Sequence, residues 1–365
     1  MLEDDLKDTF ARHEDLVPAG AHIIDKAAST ARTRRRRRWM ATSAGAALAL
    51  VAAVVAPVAA RWAMPLREEP LIPGIQQPAP EVTGRPLNFL LIGLDKRVNS
   101  TAPVRADSVM IAHVPADRSG LYLVTVARDV LVTPSPGTRG KLAETYALRG
   151  FPATAAAVTS LTGVTFDGGA TIEFTGLKKL VAALGGVHMC IDQVVRSEHH
   201  DRNGRYHTST SRDGVQPYVY RPGCRTLKAW EALDYARQRQ GLPTGSYDRD
   251  RHIAQMFRAV LRQAKESIDL TDLATLDALT DAIGPSLVLD TGGIAVGDLA
   301  KTLRPVLDKD ITVVTTPIGG YHSKTIDGLS YQVMDDNSKD FFAALKADRA
   351  ADWLADHPGS DWPSK

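Results

Sequence analysis

The chain has 365 residues and a formal net charge of +2, from 44 basic and 42 acidic side chains. That imbalance is too small to imply a polyanion as partner, and a charged fraction of 24% is ordinary for a folded protein.

Residues 1–38 mix acidic, basic and a few apolar side chains. Leu2, Leu6, Phe10 and Leu16 hint at one short amphipathic helix in an otherwise partly ordered tail. The segment 39–61 follows: Trp39 to Ala60 carries no charge, and Arg38 and Arg61 close it at either end. As a helix it would run about 33 Å, enough for the roughly 30 Å hydrocarbon core of a bilayer. Arg34 to Arg38 stand directly before it. Such a run also suits a nucleic-acid or nuclear-localisation signal, but next to an apolar segment the positive-inside rule accounts for it, and no nucleic-acid partner is expected. The stretch is too long, and too far from the N-terminus, for a cleaved signal peptide. The expectation is a single-pass signal anchor in the cell membrane, with a cytoplasmic tail over 1–38 and everything after it extracellular.

Residues 62–86 hold six prolines and read as an extended stalk. From 87 to 350 short apolar runs alternate with helical periodicity. Strands are predicted over Leu87–Leu94, Ser108–Val114, Leu121–Ala127, Val187–Ile191, Ser286–Leu289 and Ile311–Thr316. Helices are predicted over Ala153–Leu161, Phe174–Leu184, Leu227–Arg237, Arg249–Lys265, Leu273–Ile283 and Ser338–Ala347. Strands that are apolar throughout belong to a sheet covered on both faces. The fold class expected is therefore α/β: one α/β/α domain with a central mixed sheet, and a C-terminal tail over 351–365.

Charged residues gather where predicted strands and helices end: Asp95, Lys96 and Arg97, then Arg105 and Asp107, then Arg128 and Asp129, and later Arg237, Arg239 and Arg249. Carboxylates supply hard oxygen ligands for a divalent cation, and guanidinium forks match phosphate oxygens. Together they suit a metal-bound pyrophosphate. Arg251 and Arg258, on the helix after Arg249, read as ordinary surface residues. Outside the cell two cysteines, Cys190 and Cys224, suggest one disulfide worth about 2–4 kcal/mol, with two buried free thiols as the alternative. His199, His200 and His207 lie between them among polar residues and read as a solvated loop rather than a zinc site.

These blocks resemble the LytR–CpsA–Psr family of cell-wall glycopolymer ligases, of the actinobacterial type. The resemblance rests on Asn88 to Arg97, Arg105 to Met110, Val126 to Asp129, Ala183 to Val187, Ala232 to Arg239 and Gly245 to Arg251, in that order, behind an anchor and a stalk. It implies a transferase that moves a glycopolymer from a polyisoprenyl-pyrophosphate carrier to a cell-wall glycan acceptor such as peptidoglycan. It also implies Mg²⁺ (or Mn²⁺) on Asp95 and Asp107, pyrophosphate on Arg105, Arg128, Arg237, Arg239 and Arg249, and Arg105, Asp107 and Arg128 as the catalytic set. No histidine falls in the matching blocks, which leaves Asp107 or Asp129 as candidates for a general base.

The sequence departs from the family pattern at three places. Ser246 stands where Asp is usual, Ile253 where Gln is common, and Ala143 where the family has Asn. Asp248 could stand in for the first. These departures point to altered acceptor contacts, slower turnover, or a member that binds lipid without transferring glycan. A transcriptional-attenuator type of regulator and a polyprenyl-pyrophosphate hydrolase are the remaining readings.

Overall fold

The structure is a computed structural model and describes residues 82–96, 101–135, 138–207, 214–267, 283–294, 299, 302–316, 318 and 322–362. The chain divides into two units, Met1–Ser43 and Ala44–Lys365, and every described residue lies in the second. The expected tail, anchor and most of the stalk, as well as Arg97 and nearly all of the helix expected over Leu273–Ile283, lie outside the described residues. No helix among the described residues is long and apolar enough to cross a membrane.

Five of the six predicted apolar runs join a seven-stranded sheet, and the sixth, Val187–Ile191, pairs elsewhere. The sheet's members are β1 (Leu87–Leu94), β2 (Ala106–Val114) and β3 (Leu121–Thr125), with β6 (Gly168–Glu173), β11 (Leu287–Asp290), β12 (Ile311–Thr315) and β15 (Asp361–Trp362). The spatial order is β11-β6-β1-β2-β3-β12-β15. Strand β1 runs parallel to β6 and antiparallel to β2, and β3 runs parallel to β12, so the sheet is mixed.

Alternation along β1 assigns side chains to the two faces. Leu87 and Phe89 enter one apolar cluster; Leu90, Ile92 and Leu94 enter the other. Each fully buried side chain of this size contributes about 1.5–3 kcal/mol. On the second face lie α1 (Leu142–Arg149), α2 (Phe151–Thr162) and α6 (Asp336–Lys346), which supply Leu142, Phe151 and Phe341 to that cluster. On the first lie α3 (Phe174–Ala183), α4 (Ala229–Arg237) and α5 (Ser246–Ser267). The α/β expectation and the helical cover on both faces are thus found.

Several elements were not expected from the sequence. The short ribbons β4 (Leu131–Ser135) with β5 (Thr138–Lys141), and β13 (Ser323–Ile326) with β14 (Leu329–Gln332), are half polar. Past residue 350 the chain is not a plain tail: α7 (Ala350–Asp356) packs Trp353 edge-on against Phe341, and β15 closes the sheet edge on β12.

Two further ribbons pack on the helices of the first face, one against α5 and the other against α4. One pairs β7 (Val187–Ile191) with β10 (Gly223–Leu227), and the other pairs β8 (Val195–Asp201) with β9 (Pro217–Tyr220). Gly185 and Gly186, both at positive φ, turn the chain from α3 into β7, and a Cβ on Gly186 would meet the Leu227 carbonyl oxygen at 2.8 Å. Cys190 and Cys224 stand directly opposite each other in the β7–β10 register and form a disulfide. The nearby group of His188, Cys190 and Cys224 offers no thiolates to a metal, because its two sulfurs are bonded to each other.

Candidate functional site

Strand ends carry the acidic residues to one place. Asp95 leaves β1 just past its last sheet pair, and its amide nitrogen donates to the Arg105 carbonyl at 3.4 Å. That closes the connection that brings Arg105 beside it. Asp107 lies one residue inside β2 and forms an ion pair with Arg128, which follows β3. Because β1, β2 and β3 are neighbours in the sheet, Asp95, Asp107 and Arg128 converge at the same end of it.

The remaining cations come from the helices of the first face. Arg237 is the last residue of α4, and Gln238 after it is extended, so Arg239 projects from the loop instead of continuing the helix. Buried Gln238 holds this exit. Its side-chain amide donates to the Asp234 carbonyl and to Asp234 Oδ1, both at 2.8 Å, and its Oε1 accepts from the Glu198 amide at 2.7 Å. Arg249 lies in the first turns of α5, where Asp250 Oδ1 accepts from its Nη2 at 2.7 Å.

All seven residues expected to hold metal or pyrophosphate line one cleft of about 520 Å³: Asp95, Arg105, Asp107, Arg128, Arg237, Arg239 and Arg249. Ile253 and Phe174 border it as well. Burial pushes the Asp107 carboxyl above its usual range; Arg128 opposes this and nearby Asp95 adds to it. Burial works against the charge on Arg249, but Asp250, Asp129 and Asp107 outweigh it and hold its proton more tightly. Two carboxylates close enough to repel, in a cleft of cations, fit a divalent ion that takes few protein oxygens and keeps several waters.

Phe174, Arg237 and Ile253 also border a second, apolar cavity of about 80 Å³ between the sheet and helices α3 to α5. Leu91, Met110, Leu177, Met256 and Val260 are among its walls. The Arg237 guanidinium sits over the Phe174 ring, 4.9 Å from its centroid, where the cationic and the apolar space meet.

Other readings are corrected by this geometry. Arg251 and Arg258 are buried, not on a solvent face: Arg251 pairs with Asp192 and Asp248, and Arg258 borders a separate polar pocket with His188 and Glu266. Asp248 does not reach the cleft as a substitute carboxylate, since its oxygens accept from the Thr244 amide, Gln193 and Arg251. Ala143 is buried with its amide donating to the Arg128 carbonyl at 2.8 Å, so the side chain absent there is one that would lie next to Arg128. Asp129 faces Lys141 at 3.2 Å and does not line the cleft. His199 and His200 belong to strand β8, not a solvated loop, and His199 with Glu198 lines the cleft. The polar string Ser197 to Asp201 carries no apolar alternation that could have announced that strand.

The chain matches the LytR_cpsA_psr family over residues 71–347, which takes in the whole cleft. It belongs to that family. Among relatives it is 26% identical over 238 residues to the cell wall biosynthesis protein LcpA of Corynebacterium glutamicum, a match covering 58% of this chain and 43% of LcpA. It is 24% identical over 257 residues to the polyisoprenyl-teichoic acid–peptidoglycan teichoic acid transferase TagU of Bacillus cereus, covering 70% of this chain and 75% of that protein. This family member thus spans less than half the length of its corynebacterial relative. In fold it is similar to TagT bound to LI-WTA, with a TM-score of 0.55 at 17% identity over 72% of this chain and 90% of that one.

Proposed function

We propose that this protein is a membrane-anchored, extracellular transferase that moves a glycopolymer from a polyisoprenyl-pyrophosphate carrier onto a cell-wall glycan. The observation that carries this reading is the shared border of the two cavities. A cleft lined by three carboxylates, Asp95, Asp107 and Glu198, and five arginines adjoins an apolar cavity at Phe174, Arg237 and Ile253. A lipid pyrophosphate has that same division into a doubly charged head and a hydrocarbon tail. The apolar cavity is narrow, so a tail has to part its walls; Met110 and Met256, unbranched and flexible, are suited to yield. The name of TagU, a polyisoprenyl-teichoic acid–peptidoglycan teichoic acid transferase, supports the same class of substrate, and that of LcpA supports a role in cell wall biosynthesis.

The chemistry follows from charge. An acceptor sugar hydroxyl attacks the phosphorus nearest the glycan; a new P–O bond forms, the bond to the bridging oxygen breaks, and polyprenyl phosphate leaves as the hydroxyl proton is lost. Arg128, Arg237 and Arg249 hold the phosphate oxygens, and Arg105 and Arg239, both exposed at the mouth, close over them. Mg²⁺ held by Asp95 and Asp107 would supply neutralisation of the charge that builds on the departing phosphate. Burial of Arg249 on Asp250 fixes one cation in advance, so little reorganisation is left to the reacting state.

The deciding experiment is release of polyprenyl phosphate from a glycosylated polyprenyl pyrophosphate by the purified extracellular part, with and without Mg²⁺, beside a lipid-binding titration. Metal-dependent release that requires a glycan acceptor supports transfer. Release without acceptor makes the protein a hydrolase. Tight lipid binding with no release in any condition favours a scaffold, with Ile253 at the junction of the two cavities as the first residue to restore to Gln.

A further inference from the structure

A line of aromatic rings runs beside the cleft and ends in solvent. Tyr235, Tyr220 and Tyr218 pack edge-on in sequence, Tyr218 meets Trp230, and Trp230 lies 4.7 Å from the His200 ring. These inner rings are explained as packing. Tyr206 is not. It is 64% exposed, yet it lies stacked on His199 with centroids 6.0 Å apart and edge-on to His200 at 5.5 Å.

The turn that presents Tyr206 is held from many sides. Asp201 Oδ1 accepts from the amides of Asn203 and Arg205 at 2.8 and 2.9 Å, and the Gly204 amide donates to the Asp201 carbonyl at 2.8 Å. The His207 amide donates to the His199 carbonyl at 2.7 Å, closing the turn behind Tyr206. Gly204 takes φ +77°, and a Cβ there would meet the Trp230 ring at 2.9 Å. An exposed tyrosine on so determined a turn is a rigid amphipathic surface, with an apolar face to offer and little freedom left to lose.

We propose that Tyr206, stacked on His199 at the rim of the arginine cleft, is the platform on which a sugar ring of the acceptor glycan rests. The inference deepens the transferase reading and rests on it for the word acceptor. The occupant is a pyranose chain because the platform offers a flat apolar face for the sugar's C–H side. The adjoining rim, through Glu198, His199 and Gln240, offers polar groups for its hydroxyls. His199 belongs to both surfaces, so a sugar resting on Tyr206 has its next neighbour at the pyrophosphate cleft. Tyr206 is a positioning residue in this account and touches no reacting atom.

The test uses a soluble peptidoglycan glycan-strand fragment as probe, with the wild type, Tyr206→Ala and Tyr206→Trp. Removing the ring is expected to weaken fragment binding about ten-fold and to raise the acceptor KM to match, with kcat at saturating acceptor and lipid-pyrophosphate affinity unchanged. The Trp variant is expected to restore both. Because Tyr206 is exposed, its melting transition should not move. Equal fragment affinity in wild type and Tyr206→Ala overturns the platform. Fragment binding is read without any donor lipid, so it stands or falls by itself. A wild type that fails to bind lipid pyrophosphate overturns the transferase reading instead, and with it the acceptor role, whatever Tyr206 binds.

Discussion

Arg237 Nη2 lies 3.9 Å from Asp95 Oδ2, across a gap between the end of α4 and the end of β1. The pair links the two halves of the cleft: the strand ends that carry the carboxylates and the helix ends that carry the cations. It is a loose contact, and a phosphate oxygen entering between the two residues would take over the guanidinium.

The two halves are expected to fail differently. Asp107→Asn or Asp95→Asn should abolish metal-dependent release of polyprenyl phosphate and leave much of the lipid affinity in place. Arg237→Ala or Arg128→Ala should weaken lipid-pyrophosphate binding by about 1.5–3 kcal/mol, roughly ten- to a hundred-fold in Kd. Titration of each variant with lipid pyrophosphate, beside a turnover assay, separates the effects. Unchanged affinity in both arginine variants would place the head group elsewhere.

Arg251 carries a second expectation, of stability instead of activity. It is 4% exposed and pairs with Asp248, itself buried, and with Asp192, which is partly open to solvent. Truncation leaves the Asp248 carboxylate in the interior without that partner. Arg251→Ala should lower unfolding free energy by about 3 kcal/mol, the lower end for a broken buried pair because Asp192 can hydrate. Urea unfolding measures it, and lipid affinity of the folded fraction should stay at the wild-type value.

The difference between these two arginine sets shows where the sequence is legible. Leu87 to Leu94 is apolar enough to need cover on both faces, so its end, and Asp95 with it, could be placed. Arg237 and Arg239, two apart and followed by Gly241 and Pro243, could be placed at a helix end. The face of α5 that carries Arg251 and Arg258 could not. Its polarity is that of a solvent face, yet it packs on the β7–β10 ribbon, and Asp192, directly after β7, becomes a partner only in three dimensions. Strand β6, Gly-Gly-Ala-Thr-Ile-Glu, was equally hidden. It is central by position but weak in propensity, because its glycines make room for Phe151 and for Asp290 of β11. His199 escaped for a like reason: a polar strand gives no period to read.

The bond between Cys190 and Cys224 closes a separation of 34 residues and fastens β7 to β10 ahead of α4. Cys190→Ser with Cys224→Ser should cost about 2–4 kcal/mol through greater freedom of the unfolded chain. Neither sulfur lines the arginine cleft, so turnover at low temperature should persist. Melting curves of the double variant and of the reduced wild type should agree. A melting point equal to that of the oxidised protein would remove the bridge from the sources of stability.

His252 sets a pH dependence whose sign is fixed by its surroundings. Its ring is stacked on Tyr235 at 4.3 Å, has Gln193 and Arg251 at its Nε2, and is not exposed. Burial, and then the charge of Arg251, lower its pKa to about 3. Above the unfolded value of about 6.5 the ring is neutral in both states and stability is unaffected by it. Below that, the unfolded chain takes up a proton that the folded chain refuses, so unfolding gains about 1.4 kcal/mol for each pH unit down to the folded pKa. Burial lowers the pKa of His113 as well and adds a slope of the same sign. Urea titrations at pH 7.5, 6 and 5 should therefore show stability falling with acidity. His252→Gln keeps a polar amide at the same place and should remove its own share of the slope, leaving that of His113. An identical slope in the variant would mean that His252 is protonated in the fold, against everything packed around it.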